Sequence, residues 1–195
     1  MFYGSVPAEA QAIMNKIVKA WDVSDVYVGC SGNFTLEKFI GPLNKFRLHS
    51  NDVTMYSLCL GAHFMREHVP LELSEEGAAA FPWLTEYMKT DIDRLATMLL
   101  MSRIVAYTDK GDHPYYKMML EESVRQFPAM HEKTLQKVSG NTLTISSYYN
   151  GDAAQFVKDA PADAGFISFP TFKKAGKAFV KDFAKLEKLF KFTPP

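Results

Sequence analysis

The chain changes rhythm twice, and this limits its fold more than any other feature. Short apolar runs suited to strands, near 26–28 and 46–49, alternate with helical patterns at the start. Two more, at 141–149 and 164–169, alternate with helices at the end. Between them, from about 55 to 138, apolar residues recur almost wholly at helical spacing. Strands separated by helices need crossover connections, so the pattern predicts an α/β fold with a parallel sheet. The expected division is an α/β core of 1–54 with 139–195, interrupted by a large helical insertion at 55–138.

Composition excludes little beyond membrane and secretory classes. The 195 residues suffice for one domain with a full core, or for a core plus an inserted subdomain. Lys plus Arg equals Asp plus Glu at 22 each, so net charge does not point to nucleic acid. Acids predominate between Glu67 and Asp93 while the last quarter is rich in lysine, which allows one basic face on a neutral protein. Cys30 and Cys59 have neither metal-ligand spacing nor a disulfide framework. No apolar run approaches 18 residues, and the start lacks a secretory pattern, so the expected compartment is the cytoplasm.

In a parallel sheet, ligands bind beyond the carboxyl ends of the strands. The first such end is "GCSGN", residues Gly29, Cys30, Ser31, Gly32 and Asn33. The second is Asn51-Asp52, the third Asp152, and the fourth "SFPTF", from Ser168 to Phe172. A glycine turn followed by an acid after the next strand is the minimum set for an adenosine-type ligand. The glycines admit the ligand, and the carboxylate accepts hydrogen bonds from ribose hydroxyls. Taken alone, the turn also reads as a structural αβ junction, and Asp52 as the cap of the following helix.

Taken in order, these stretches resemble the DNA adenine methylase type of adenine-N6 DNA methyltransferases, and more closely the phage-encoded antirestriction adenine methyltransferases. "FYGS" echoes an N-terminal Y-x-G-G-K-like stretch, with Tyr3 and Gly4 at its centre. "VYVGCSGN" matches the strand and cofactor loop, and Asn51-Asp52 an N-D after the second strand. Asp152 matches the acid upstream of the catalytic strand. "GFISFPTF" stands where V-Y-x-D-P-P-Y would be, with Ser168 for the aspartate, Phe169 for the first proline, Pro170 retained, and Phe172 as the displaced aromatic. The resemblance implies a Rossmann-like class I methyltransferase sheet, S-adenosylmethionine as cofactor and DNA as partner. It also implies protection of phage DNA from restriction. In such chemistry Ser168 and the Phe169 carbonyl hold the amino hydrogens of the target adenine, and an aromatic stacks on the extruded base.

Near the end, Lys177, Lys181, Lys185 and Lys188 recur at helical spacing on one face, and Phe179, Phe183, Leu186 and Phe190 on the opposite one. This basic strip reads either as a contact for DNA phosphates or as the solvated side of a packed helix. The resemblance places target recognition in the insertion, whose apolar helices could equally form a homodimer interface. The five histidines are scattered, and no metal site is expected. Beside a methyltransferase stand two other readings: a non-catalytic descendant that binds DNA or protein, and an enzyme for a different DNA modification.

Overall fold

A computed structural model describes residues 8–108, 110–170 and 173–195, apart from the side chains of Ala8, 173–179 and Asp182. Its elements, in chain order, begin with α1 (Ala8–Ala20), β1 (Asp25–Gly29), α2 (Thr35–Ile40), β2 (Arg47–Asp52) and α3 (Met55–Met65). The helices α4 (Glu75–Ala80), α5 (Asp91–Ile104) and α6 (Pro114–Ser139) follow. The chain closes with β3 (Ser147–Asn150), α7 (Ala153–Lys158), β4 (Gly165–Ser168) and α8 (Lys173–Leu189). No helix among the described residues is long and apolar enough to cross a membrane.

Packing divides the described chain into two compact units, 8–67 with 142–170 and 68–141 with 173–193. The first holds a four-stranded sheet, all parallel, in the order β3-β2-β1-β4. Val26, Val28 and Leu48 are buried on one face, where α3 packs on β2 and β3. Gly61 of α3 lies so close to Tyr148 of β3 that a Cβ there would fall 2.5 Å from the ring. The other face carries Tyr27, which stacks on His49 and meets Phe156 of α7. Helices on both faces are what a parallel sheet needs to bury its strands. His49 also ties three strands together: its ring nitrogens lie 2.8 Å from Asp25 Oδ1 and 2.7 Å from Ser147 Oγ. The chain steps outward from β1 to β2 to β3 and then returns to the other side of β1 for β4. The carboxyl ends of β1 and β4 are therefore the topological switch point.

Two strands differ from expectation. β2 runs on through Asn51 and Asp52, which the sequence places beyond its end. β3 covers only 147–150, although Leu143 and Ile145 before it are buried. The Ile145 amide donates to the Phe64 carbonyl and the Ser146 amide to that of Leu48, so this stretch bonds outside any strand ladder.

The second unit is helical, with Leu84, Leu95, Met98, Met101, Phe127 and Leu186 in its core. Thr90 and Asp93 start α5 with a reciprocal capping box. α8 belongs to this unit, packing on α4 and α5 through Phe183, Leu186 and Leu189. The α4 contact is tight: a Cβ on Gly77 would fall 2.0 Å from the Leu189 carbonyl oxygen. Thus α3 goes with the sheet and α8 with the helices, where the sequence pattern places α3 in the insertion and α8 in the core. An amphipathic helix specifies an apolar partner but not which one.

Candidate functional site

The turn after β1 is a tight coil in which Cys30, Gly32 and Phe34 all have positive φ, at 58°, 53° and 58°. Only glycine adopts this region freely, so Cys30 and Phe34 each cost about 1–2 kcal/mol in backbone strain. Bonds to the end of β2 and the start of α3 hold the coil. The Ser31 amide donates to the Asn51 carbonyl (2.8 Å), and the Asn51 amide to Ser31 Oγ (3.3 Å). The Gly32 amide donates to Asp52 Oδ2 (3.0 Å), and Ser57 Oγ to the Gly32 carbonyl (2.9 Å). Asn33 is half-buried, and its carbonyl accepts from Lys38 Nζ.

Asp52 is thus a clamp as well as an acid at a strand end. Its Oδ1 accepts from the Thr54 amide (3.0 Å) and the Thr54 hydroxyl (2.9 Å), while among the described residues Oδ2 accepts from Gly32 alone. With about two acceptor sites on each oxygen, one place remains on Oδ2 for another donor. The cap of α3 is Thr54, which accepts from the Ser57 amide. Asn51 is buried and points toward β3, its Nδ2 donating to the Tyr149 (3.0 Å) and Gly151 (2.8 Å) carbonyls.

Across the switch point, Ser168 pairs with Gly29. A Cβ on Gly29 would fall 3.2 Å from Ser168 Oγ and 3.1 Å from Phe166 Cζ, so the missing side chain lets both approach the strand. Burial pushes the Cys30 thiol up, against a hydrogen bond with Ser168 that lowers it. The turn, Asp52 and Ser168 are therefore contiguous. Phe169 and Pro170 follow on the surface, Phe169 with 48% of its area exposed. Phe172, Tyr3 and Gly4 lie outside the described residues.

Asp152 stands apart from this group. It caps α7, accepting from the Ala154 (2.8 Å) and Gln155 (3.1 Å) amides. It follows β3, three strand spacings or about 14 Å from β4. The lysines of α8 also differ among themselves. Lys181 and Lys188 are exposed, whereas Lys185 Nζ donates to the Thr108 carbonyl at 2.9 Å. The side chain of Lys177 lies outside the described residues.

Two residues of the site escape a reading of the sequence. Phe166 lies two positions before Ser168 on the same face of β4, with 42% of its area exposed. Glu37, in the first turn of α2, is fully buried. Ser50 Oγ donates to its Oε1 at 2.9 Å, and Oε2 has no hydrogen-bond partner. Burial pushes its carboxyl up to about 7. The available signal was Ser50, a polar residue at a position where the alternation of β2 calls for an apolar one.

A parallel α/β sheet with a glycine turn at its switch point and flanking helices is a Rossmann-like fold, consistent with the methyltransferase kind. The chain matches the family described as Phage DNA Adenine Methylase-like domain 1 over residues 2–195, and it belongs to that family. No curated protein and no solved structure gives a match.

Proposed function

We propose that the chain is an S-adenosylmethionine-dependent DNA adenine-N6 methyltransferase that protects phage DNA from restriction. The observation that carries this reading is the apposition of Gly29 and Ser168, which puts a backbone cradle beside a hydroxyl at the switch point. Family membership supplies the DNA adenine methylase context.

The residues present fit an adenosyl group. Gly29 lets Ser168 and Phe166 close on the strand end, Gly32 takes a left-handed conformation, and Asp52 Oδ2 retains one acceptor site for a ribose hydroxyl. Bound S-adenosylmethionine supplies an electrophilic methyl group on a sulfonium. Around it, the turn orients the ligand and Asp52 fixes the turn.

The exocyclic amine of adenine is a weak nucleophile because its lone pair is delocalised into the ring. Ser168 Oγ and the Phe169 carbonyl accept its two hydrogens, which localises that lone pair on nitrogen. Neither acceptor is a strong base, so the proton lost when the carbon–nitrogen bond forms leaves to water. The exposed rings of Phe166 and Phe169 offer apolar surface for a base drawn out of the duplex. The exposed Lys181 and Lys188 of α8 are free to meet phosphates.

The second reading is a non-catalytic descendant that binds DNA or protein. It is favoured by the departures at the catalytic corner, where Ser168 and Phe169 stand in place of the aspartate and first proline. Digestion of co-expressed DNA with adenine-methylation-sensitive nucleases separates the two. Methylated DNA that reverts to unmethylated in Ser168→Ala supports the enzyme. Unmodified DNA from a protein that binds S-adenosylhomocysteine supports the descendant.

A further inference from the structure

Glu37 takes no part in the chemistry proposed above, yet its carboxyl is among the most enclosed in the protein. No part of the residue is exposed. Ser50 Oγ donates to Oε1, Ser31 and the backbone of Glu37 itself also hydrogen-bond the carboxyl, and among the described residues Oε2 has no partner of ordinary geometry. Ser31 belongs to the turn itself, where its Oγ donates to the Val28 carbonyl and accepts from the Asn51 amide. One side chain therefore braces both the turn and β2. The α2 helix that carries it begins at Phe34, a left-handed residue with no side-chain cap.

We propose that Glu37 is a positioning residue for the adenosyl-binding turn: as a neutral acid between Ser50 and Ser31 it keeps residues 30–34 coiled, and its ionisation releases them. A buried carboxylate with an unpartnered oxygen costs far more than the neutral acid, and opening the turn to water relieves that cost.

The charged and titratable groups around it do not offset this. Lys38, the next residue on the helix, favours ionisation, but its Nζ is bonded to the Asn33 carbonyl. The carboxyl of Asp52, on β2, accepts from the Gly32 and Thr54 amides. Cys30 in the turn, Tyr148 on β3 and Cys59 on α3 are all held toward their neutral forms by burial. Burial of Glu37 places its own titration near neutrality, so the release falls within an accessible pH range.

Amide hydrogen exchange of the full chain without ligand tests the brace directly. For an acid that titrates near 7 in the closed turn and near 4.5 in the open one, protection of residues 30–36 falls about tenfold from pH 6 to pH 8, after correction for intrinsic rates. Glu37→Gln, which keeps the shape without the charge, removes this dependence, and Ser50→Ala lowers protection at pH 6. Equal protection of wild type at both pH values would overturn the proposal. So would the same dependence in Glu37→Gln. A second arm rests on the cofactor reading: affinity for S-adenosylhomocysteine weakens over the same range in wild type and stays level in Glu37→Gln. Absence of binding at every pH removes the cofactor reading, while the exchange result still decides the role of Glu37.

Discussion

Gly29 and Ser168 face each other across the β1–β4 ladder, and the hydrogen that stands for a side chain at Gly29 leaves room for both the Ser168 hydroxyl and the Phe166 ring. A methyl group there would sit 3.1–3.4 Å from three atoms of these two residues, closer than ordinary contact. Phe166 is half-exposed and yields easily, so Gly29→Ala costs only about 1–2 kcal/mol of stability. It removes methylation nonetheless, because the displaced atoms belong to the proposed catalytic corner. Thermal unfolding and a methylation assay on the same preparation check both halves.

Asp52 makes a sharper case, since a pure ribose acceptor and a clamp respond differently to removal. Asp52→Ala strips the acceptor from the Gly32 and Thr54 amides and from the Thr54 hydroxyl. Leaving part-buried donors unpaired costs about 1–3 kcal/mol. The expected outcome is loss of S-adenosylhomocysteine binding together with a drop of that size in the free energy of urea unfolding. Unchanged stability with lost binding would leave Asp52 a ligand contact alone.

The Glu37 carboxyl, raised from 4.5 to about 7, fixes the sign of a pH effect on global stability. The folded state binds the proton more tightly than the unfolded chain, so stability is complete below about 4.5. It is lost progressively as pH rises to about 7 and stays level above. A tenfold difference in proton affinity is worth about 1.4 kcal/mol, so the loss approaches about 3 kcal/mol. Asp25 acts in a separate window. Its hydrogen bonds with Arg47 and then His49 hold its carboxyl below the usual range, so its contribution disappears only as pH falls below about 4. Denaturant unfolding at pH 5 and pH 8 of wild type and Glu37→Gln measures the first effect, and the variant is expected to show none of it.

The two cysteines form a built-in reporter. Cys59 is fully buried and its thiol is pushed up to about 12, so it is inert to thiol reagents in the folded protein. Cys30 is half-buried in the turn. One thiol per chain is therefore expected to label slowly under native conditions, at Cys30, and S-adenosylhomocysteine is expected to block it. Peptide mapping after alkylation identifies the residue.

What the sequence displays of this arrangement follows from which interactions are local. The Val26–Val28 run, the glycines after it and the helix beyond are read directly, because strand, turn and helix each have short-range signals. The contiguity of Gly29 with Ser168 follows once β4 is placed beside β1, as the crossover rules favour. The partner of α8 is not legible: its Phe183, Leu186 and Phe190 stripe fits any apolar surface, and α4 with α5 provides one. β3 misleads because Leu143 and Ile145 alternate as strand residues do, while the amides of 145 and 146 bond to Phe64 and Leu48. Glu37 is hidden by its type, since a glutamate in the first turn of a helix ordinarily faces water. Only the proximity of Ser31 and Ser50, 6 and 13 positions away in the chain, shows why it is buried.

Calorimetric titration of the folded chain with S-adenosylhomocysteine bears most directly on the proposed adenosyl site at the turn, Asp52 and the Ser168 corner. The expected result is saturable heat at one site per chain, retained in Ser168→Ala and abolished in Asp52→Ala. Wild-type protein that shows intact folding and no heat would contradict it.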